Sequence, residues 1–176
     1  MSTVIKNKKF SSEFLKQYEI FAKLSSKQID LFTQSIKQIQ YNTQEVIIRE
    51  GEVGNSILIL LDGEVEISVA LTLKSDTSDL DTREKSLIKL SSDFHPFFGE
   101  MCLFNKEDKR TATVTANSVC VLGRITKGDF FKICNSHPEI GNQVMQNIAG
   151  VICGRLVQAN NNVLKLTTAF SLMVES

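Results

Sequence analysis

The residues of this sequence whose types and spacing best suit chemistry lie in Phe97-Phe98-Gly99-Glu100-Met101-Cys102-Leu103-Phe104 and, after a short gap, Lys109-Arg110-Thr111-Ala112-Thr113-Val114. Gly99 has no Cβ, so backbone there can come close to a ligand. If residues 99–103 form a short helical turn, its free N–H groups point one way and favour an anion. Arg110 carries a permanent planar cation that can fork onto two phosphate oxygens. Glu100 offers a carboxylate that accepts a hydrogen bond from a sugar hydroxyl. One anion-binding turn, one arginine and one hydroxyl acceptor suit a ligand carrying phosphate and ribose. Taken alone, Glu100 and Arg110 also suit a surface salt bridge worth under about 1 kcal/mol. Order along the chain separates the two readings.

Other chemistries lack their parts. Cys102, Cys120, Cys134 and Cys153 form no CxxC pair, and with His95 and His137 they make no zinc spacing. No Ser-His-Asp or Cys-His arrangement is evident. The expectation is therefore a binding module rather than an enzyme, with no metal, and with reduced, mostly packing thiols in a cytoplasmic setting.

The elements that must position these residues fall into three sections. Residues 1–36 read as helical: Phe14, Leu15, Tyr18, Phe21 and Leu24 recur mostly at spacings of three and four, and Ser25 or Ser26 can cap a second helix bearing Ile29, Phe32 and Ile36. Residues 37–127 read as short strands with glycine turns, over 46–48, 56–61, 64–69, 86–90, 111–115 and 118–125, which suggests a sandwich or barrel. Asp62-Gly63 is the strongest hairpin signal, since glycine accepts the positive φ of a tight primed turn. Residues 75–85 read as an exposed acidic loop.

Residues 128–176 read as helical again, with His137-Pro138 marking a helix start. Met145, Ala149, Ile152, Leu156, Ala159, Val163, Leu166 and Phe170 follow alternating steps of four and three, a heptad seam. Val144, Ile148 and Val151 form a second stripe. Two apolar faces need two covers: the chain's own strands and, for the seam, a second copy of the helix. Gly150 and Gly154 each cost about 1 kcal/mol relative to alanine in a helix, which close approach of another backbone would explain.

Bulk properties fit one soluble domain. Of 176 residues, 42% are hydrophobic and 23% charged, and 20 acids balance 20 bases. That balance gives no general basic field for nucleic acid or anionic membrane; Lys6, Lys8 and Lys9 read as a solvated tail. The longest apolar run, residues 57–61, is far short of the roughly 20 residues of a membrane span, and no signal peptide is visible.

Phe98-Gly99-Glu100-Met101-Cys102-Leu103 and Arg110-Thr111-Ala112-Thr113-Val114, preceded by Glu50-Gly51-Glu52-Val53-Gly54 and Leu61-Asp62-Gly63-Glu64-Val65, closely resemble the phosphate-binding cassette and strand-turn glycines of cyclic-nucleotide-binding domains. That family includes catabolite activator proteins, kinase regulatory subunits and nucleotide-gated channels. The resemblance covers about residues 21–157. It implies an α+β fold: a jelly-roll-like, eight-stranded β-roll flanked by N-terminal helices and a long C-terminal helix. It implies that Glu100 accepts the ribose 2′-hydroxyl and that Arg110 neutralises the cyclic phosphate. Backbone N–H groups of Gly99, Glu100 and Met101 would line the sugar-phosphate, with Cys102 close by. Thr111 would lie beside the phosphate, where a threonine also reaches a syn guanine, so both cAMP and cGMP are admitted. Arg155, Leu156, Ala159 and Asn160 would supply the lid over the base.

One departure from the family is the glycine-free turn Asn105-Lys106-Glu107-Asp108. Asn and Asp tolerate left-handed backbone, but a reshaped turn leaves Lys109 as a rival to Arg110; strand register favours Arg110. The expected role is a sensor of cAMP, or cGMP, that moves its last helix and signals to an unidentified partner protein. It would act as a homodimer through that helix. The sequence stops at Ser176, which leaves no room for a helix-turn-helix, so no direct DNA binding is expected, and no membrane contact; the output is then a partner protein, or the chain is a fragment of a longer one. The alternative is the same fold with a non-binding pocket, acting as a protein–protein scaffold.

Overall fold

The continuous apolar run at 57–61 has a direct structural cause. In a strand, successive side chains point to opposite faces. Leu58 and Leu60 enter an inner core with Ile48, Val65, Phe98, Val114 and Leu122. Ile57, Ile59 and Leu61 enter an outer core with Leu15, Phe21, Phe32, Phe130 and Ile148. This strand is therefore buried on both faces, and alternation of hydrophobicity disappears from its sequence.

The structure, a computed structural model, describes residues 3–4, 10–70, 84–105 and 107–174. In chain order come β1 (Thr3–Val4), α1 (Ser12–Leu15), a 3-10 turn (Glu19–Phe21), α2 (Ser26–Thr33), β2 (Lys37–Tyr41), β3 (Val46–Ile48), β4 (Ser56–Asp62) and β5 (Glu64–Ala70). There follow β6 (Glu84–Ser91), a 3-10 turn (Ser92–Phe94), β7 (Phe97–Phe98), a 3-10 turn (Glu100–Leu103), β8 (Thr113–Ala116), β9 (Cys120–Thr126), α3 (Lys127–Ser136) and α4 (Pro138–Val174). One antiparallel sheet has the order β1-β2-β9-β4-β7 and the other β3-β8-β5-β6. The two sheets enclose the inner core; α1 to α4 cover the outer face of the first. This is the expected α+β roll with flanking helices.

Two expectations need correction, and one strand went unforeseen. The apolar spacing from Phe14 to Leu24 does not make one amphipathic helix. The helix stops at Leu15, Tyr18 is extended at φ −85 and ψ 129, and a 3-10 turn follows. Leu15, Tyr18, Ile20, Phe21 and Leu24 are all buried, and no single helical face reaches all of them. The Tyr18 hydroxyl donates to the Leu60 carbonyl at 2.7 Å, pinning the segment to β4.

Asp62-Gly63 is not a hairpin either. β4 and β5 belong to different sheets, so Gly63, at φ 91, is a corner through which the chain leaves one sheet for the other. A Cβ there would collide with the Val119 carbonyl. Finally, β7 had no separate signal in the sequence; two residues are too few to show a period. Residues 75–83 of the acidic stretch, and Lys6, Lys8 and Lys9, lie outside the described residues.

α4 begins at Pro138, as the His137-Pro138 pair suggests. Ile140, Val144 and Ile148 are buried against the roll, with Met145, Val151 and Ile152 partly so. Asn147 Nδ2 donates to the carbonyls of Ile20 and Ala22, tying α4 to the N-terminal segment. From Cys153 to Val174 every residue of α4 is exposed. No helix among the described residues is long and apolar enough to cross a membrane.

Candidate ligand-binding site

The site is assembled where β7 ends. Gly99 adopts φ 78, a left-handed angle that favours glycine. It turns the chain into the 3-10 turn whose first residue is Glu100. Arg110 reaches the same place from the far side of the turn at 105–109. Asp108 takes φ 53 there, the left-handed conformation that the glycine-free loop demanded. Lys109 points away, paired with Glu107 at 2.6 Å. Arg110, not Lys109, therefore enters the roll.

The Arg110 guanidinium is held tightly. Nη1 donates to the Ser56 carbonyl at 3.0 Å and the Gly99 carbonyl at 2.9 Å, and lies 3.3 Å from Cys102 Sγ; Nη2 donates to Ser56 Oγ at 3.2 Å. A Cβ on Gly54 would collide with its Nε and Cζ, and one on Gly99 with its Nη1. Two glycines thus make room for one guanidinium. Burial pulls its pKa below the ordinary arginine value, against the neighbouring Cys102 and Glu100, which hold it up. Nε–H and one Nη2 proton have no partner among the described residues, so the fork keeps donors for an anion.

Glu100 is 2% exposed. Its Oε1 accepts from Arg155 Nη1 at 2.7 Å, while Oε2 is buried without a partner. A buried carboxylate oxygen with no donor is an acceptor awaiting one. Arg155 also donates from Nη2 to the Phe97 carbonyl at 2.7 Å and lies 5.5 Å from the centre of the Phe97 ring.

A cavity of about 170 Å³ joins these groups, lined by Gly99, Glu100, Met101, Cys102, Arg110, Thr111 and Arg155. Its apolar wall is Ile48, Ile67, Phe98, Ala112 and Val114; the last three lie in the sequence motif, whereas Ile48 and Ile67 come from strands the motif does not include. The contribution of Ser56 was also hidden, because a carbonyl on a distant strand leaves no mark in sequence. Met101 is 49% exposed at the mouth, its sulfur 3.6 Å from Thr111 Oγ1. Asn160 does not join the site: it is exposed on α4, as are Leu156 and Ala159, and none of the three lines the cavity. Arg155 is present but grips Glu100 rather than covering the space above it.

The residues fit a cyclic nucleotide in kind: an orphan acceptor for a ribose hydroxyl, a cation for a phosphate, and backbone without a Cβ between them. A larger cavity of about 710 Å³, bounded by Phe10, Leu15, Asp30, Ile36 and Gln38, has no cationic side chain in its wall and does not suit an anion. Among the described residues no three His, Cys, Asp or Glu side chains are grouped to hold a metal ion.

The chain is 38% identical over 103 residues to a cGMP-dependent protein kinase of Eimeria tenella, covering 58% of this chain and 9% of the kinase. It is 24% identical over 136 residues to a cAMP-dependent protein kinase regulatory subunit of Dictyostelium discoideum, covering 76% of this chain and 38% of that protein. The chain thus spans well under half the length of these relatives. The crystal structure of Thermus thermophilus catabolite activator protein superposes with a TM-score of 0.69 at 22% identity, over 85% of this chain and 63% of that one. Residues 38–137, more than half of the sequence, match the model of the cyclic nucleotide-binding domain, and the chain belongs to that family.

Proposed function

We propose that this chain is a regulatory module that binds cAMP or cGMP and is not itself a catalyst. The observation that carries the reading is the convergence of Glu100 and Arg110 on one cavity, with Oε2 of the carboxylate unpartnered. The ribose 2′-hydroxyl donates to Glu100 Oε2. The cyclic phosphate takes the free donors of Arg110 and the N–H groups of Gly99, Glu100 and Met101. Thr111 stands at the mouth beside both. The relatives are named for cAMP and for cGMP, and the residues here admit either.

Small-molecule sites usually occupy about 300–1,000 Å³, so a cavity of about 170 Å³ must widen to take a nucleotide. Met101 and Arg155 are the side chains at its edge that can move. Since Arg155 is on α4 and holds Glu100, ligand entry and the position of α4 are linked, and only a difference in ligand affinity between two α4 positions can shift their populations. The exposed seam of α4 is the surface through which a second copy, and then a partner protein, reads the change.

A calorimetric titration with cAMP and with cGMP tests the reading. Saturable heat is expected with at least one of them, and Arg110→Ala weakens it by about 100-fold or more. The Arg155–Glu100 pair and the narrow cavity favour a second reading, a scaffold of the same fold whose own helix closes the pocket. No heat with either nucleotide, in protein that melts cooperatively, selects the scaffold.

A further inference from the structure

Arg110 has a second side. Besides the nucleotide cavity it lines another, also of about 170 Å³, bounded by Arg110, Arg124, Tyr41, Glu52, Asn55 and Leu58. Arg124 arrives there through strand alternation. On β9, Leu122 belongs to the inner core and Ile125 to the outer core, so Arg124 is placed on the inward face with Leu122. It is in register with Leu58 on β4 and with Lys37 on β2.

Arg124 makes no hydrogen bond or ion pair to any described residue, and its Nε is buried without an acceptor. Buried polar groups without partners are rare enough to need a cause. The one carboxylate in the wall, Glu52, is 63% exposed and shared with Arg49, 3.8 Å away. Two guanidiniums therefore face one polar space with a single rim carboxylate, and a third cation, Lys37, stands across the strand pair. That proximity bears on the protonation of Arg110 and Tyr41. Burial chiefly lowers the Arg110 pKa, Cys102 and Glu100 raise it, Arg124 lowers it and Glu52 raises it. Burial raises the Tyr41 phenol, and Arg124 opposes it.

We propose that Arg124 and Tyr41, beside Arg110, form a second anion site that adjoins the nucleotide site and takes a small tetrahedral oxyanion of the phosphate or sulfate class. The oxyanion accepts from Arg124 Nε and from the Tyr41 hydroxyl, and its charge relieves the repulsion between the two guanidiniums. Inorganic phosphate and the phosphoryl group of a nucleotide share this chemistry, so the test must separate them.

The full chain, labelled with ¹⁵N-arginine, is titrated with inorganic phosphate at fixed ionic strength while the Nε–H resonances are followed. A saturable shift at Arg110 and Arg124 is expected, and it persists when cAMP is present at saturation. Arg124→Gln weakens the phosphate response at Arg110 by about tenfold or more and leaves cAMP affinity within about threefold. If Arg124→Gln melts early, Arg124→Lys keeps a charge but loses the fork, and an intermediate weakening is expected. A linear shift equal in wild type and variant overturns the site. So does a phosphate response abolished by cAMP, which assigns both anions to one site. If neither cyclic nucleotide binds, the phosphate curves of wild type and Arg124→Gln decide alone, so the two proposals can fail separately.

Discussion

Arg110 is aimed by what its neighbours lack. Gly54 and Gly99 border the guanidinium, and a methyl group on either would occupy its place. At Gly54 the obstacle is the end of a flexible side chain, so Gly54→Ala folds but displaces the fork. Affinity for cyclic nucleotide is expected to fall by about tenfold or more, with the melting temperature within about 2 °C of wild type. Gly63→Ala is the opposite case. There the obstacle is the Val119 carbonyl, part of the backbone, and φ is 91. The melting temperature is expected to drop by roughly 4–8 °C, with the folded protein's affinity unchanged. Calorimetric melting and titration of both variants check the pair; equal effects on affinity would remove the distinction.

At the scale of elements, the junction of α4 with β7 and the turn after it is the informative one. Arg155 joins them with two 2.7 Å charged hydrogen bonds, one to a side chain and one to a carbonyl. Arg155→Met keeps an apolar stem of similar length but leaves both oxygens of Glu100 buried without a cation. Since Arg155 is 45% exposed, the loss is about 1–2 kcal/mol, well below that of a fully buried pair. Amide hydrogen exchange is expected to quicken in residues 97–103 and 150–160, and nucleotide affinity to fall by about tenfold. Exchange rates unchanged in both segments would mean that the pair holds nothing in place.

What the sequence told and withheld follows the same divide. Gly99, Glu100, Met101 and Arg110 were legible because one turn and one strand bring them together within twelve residues. The left-handed Asp108 was legible as a residue type. The grip of Arg155 on Glu100 was not, because helical period gives the face of α4 but not its height against β7. The α1 segment misled for a related reason: spacings of three and four marked burial correctly, yet burial was reached by extended backbone at Tyr18. Asp62-Gly63 correctly announced a positive φ; which sheet the chain joined next was a matter of topology, not of local preference.

For the whole molecule, the exposed part of α4 dominates. Leu156, Val163, Leu166, Phe170 and Met173 are 58–70% exposed along one heptad stripe. A patch of that kind marks an interaction surface. In line with the proposed homodimer, light scattering is expected to give twice the chain mass of 19.7 kDa. Leu166→Glu with Phe170→Glu should return it to a single chain without changing nucleotide affinity by more than about threefold. A wild-type protein that stays at one chain mass at high micromolar concentration would leave the stripe to a different protein.

Beyond Arg155 the helix runs 19 residues, Leu156 to Val174, every one of them exposed, about 28 Å at 1.5 Å per residue. Such a rod multiplies angle into distance. A tilt of about 10° at its root, produced by rearranging a single ion pair, sweeps its far end through roughly 5 Å, about one helical turn. An event too small to alter the strands can thereby be felt at the tip as a change of neighbour.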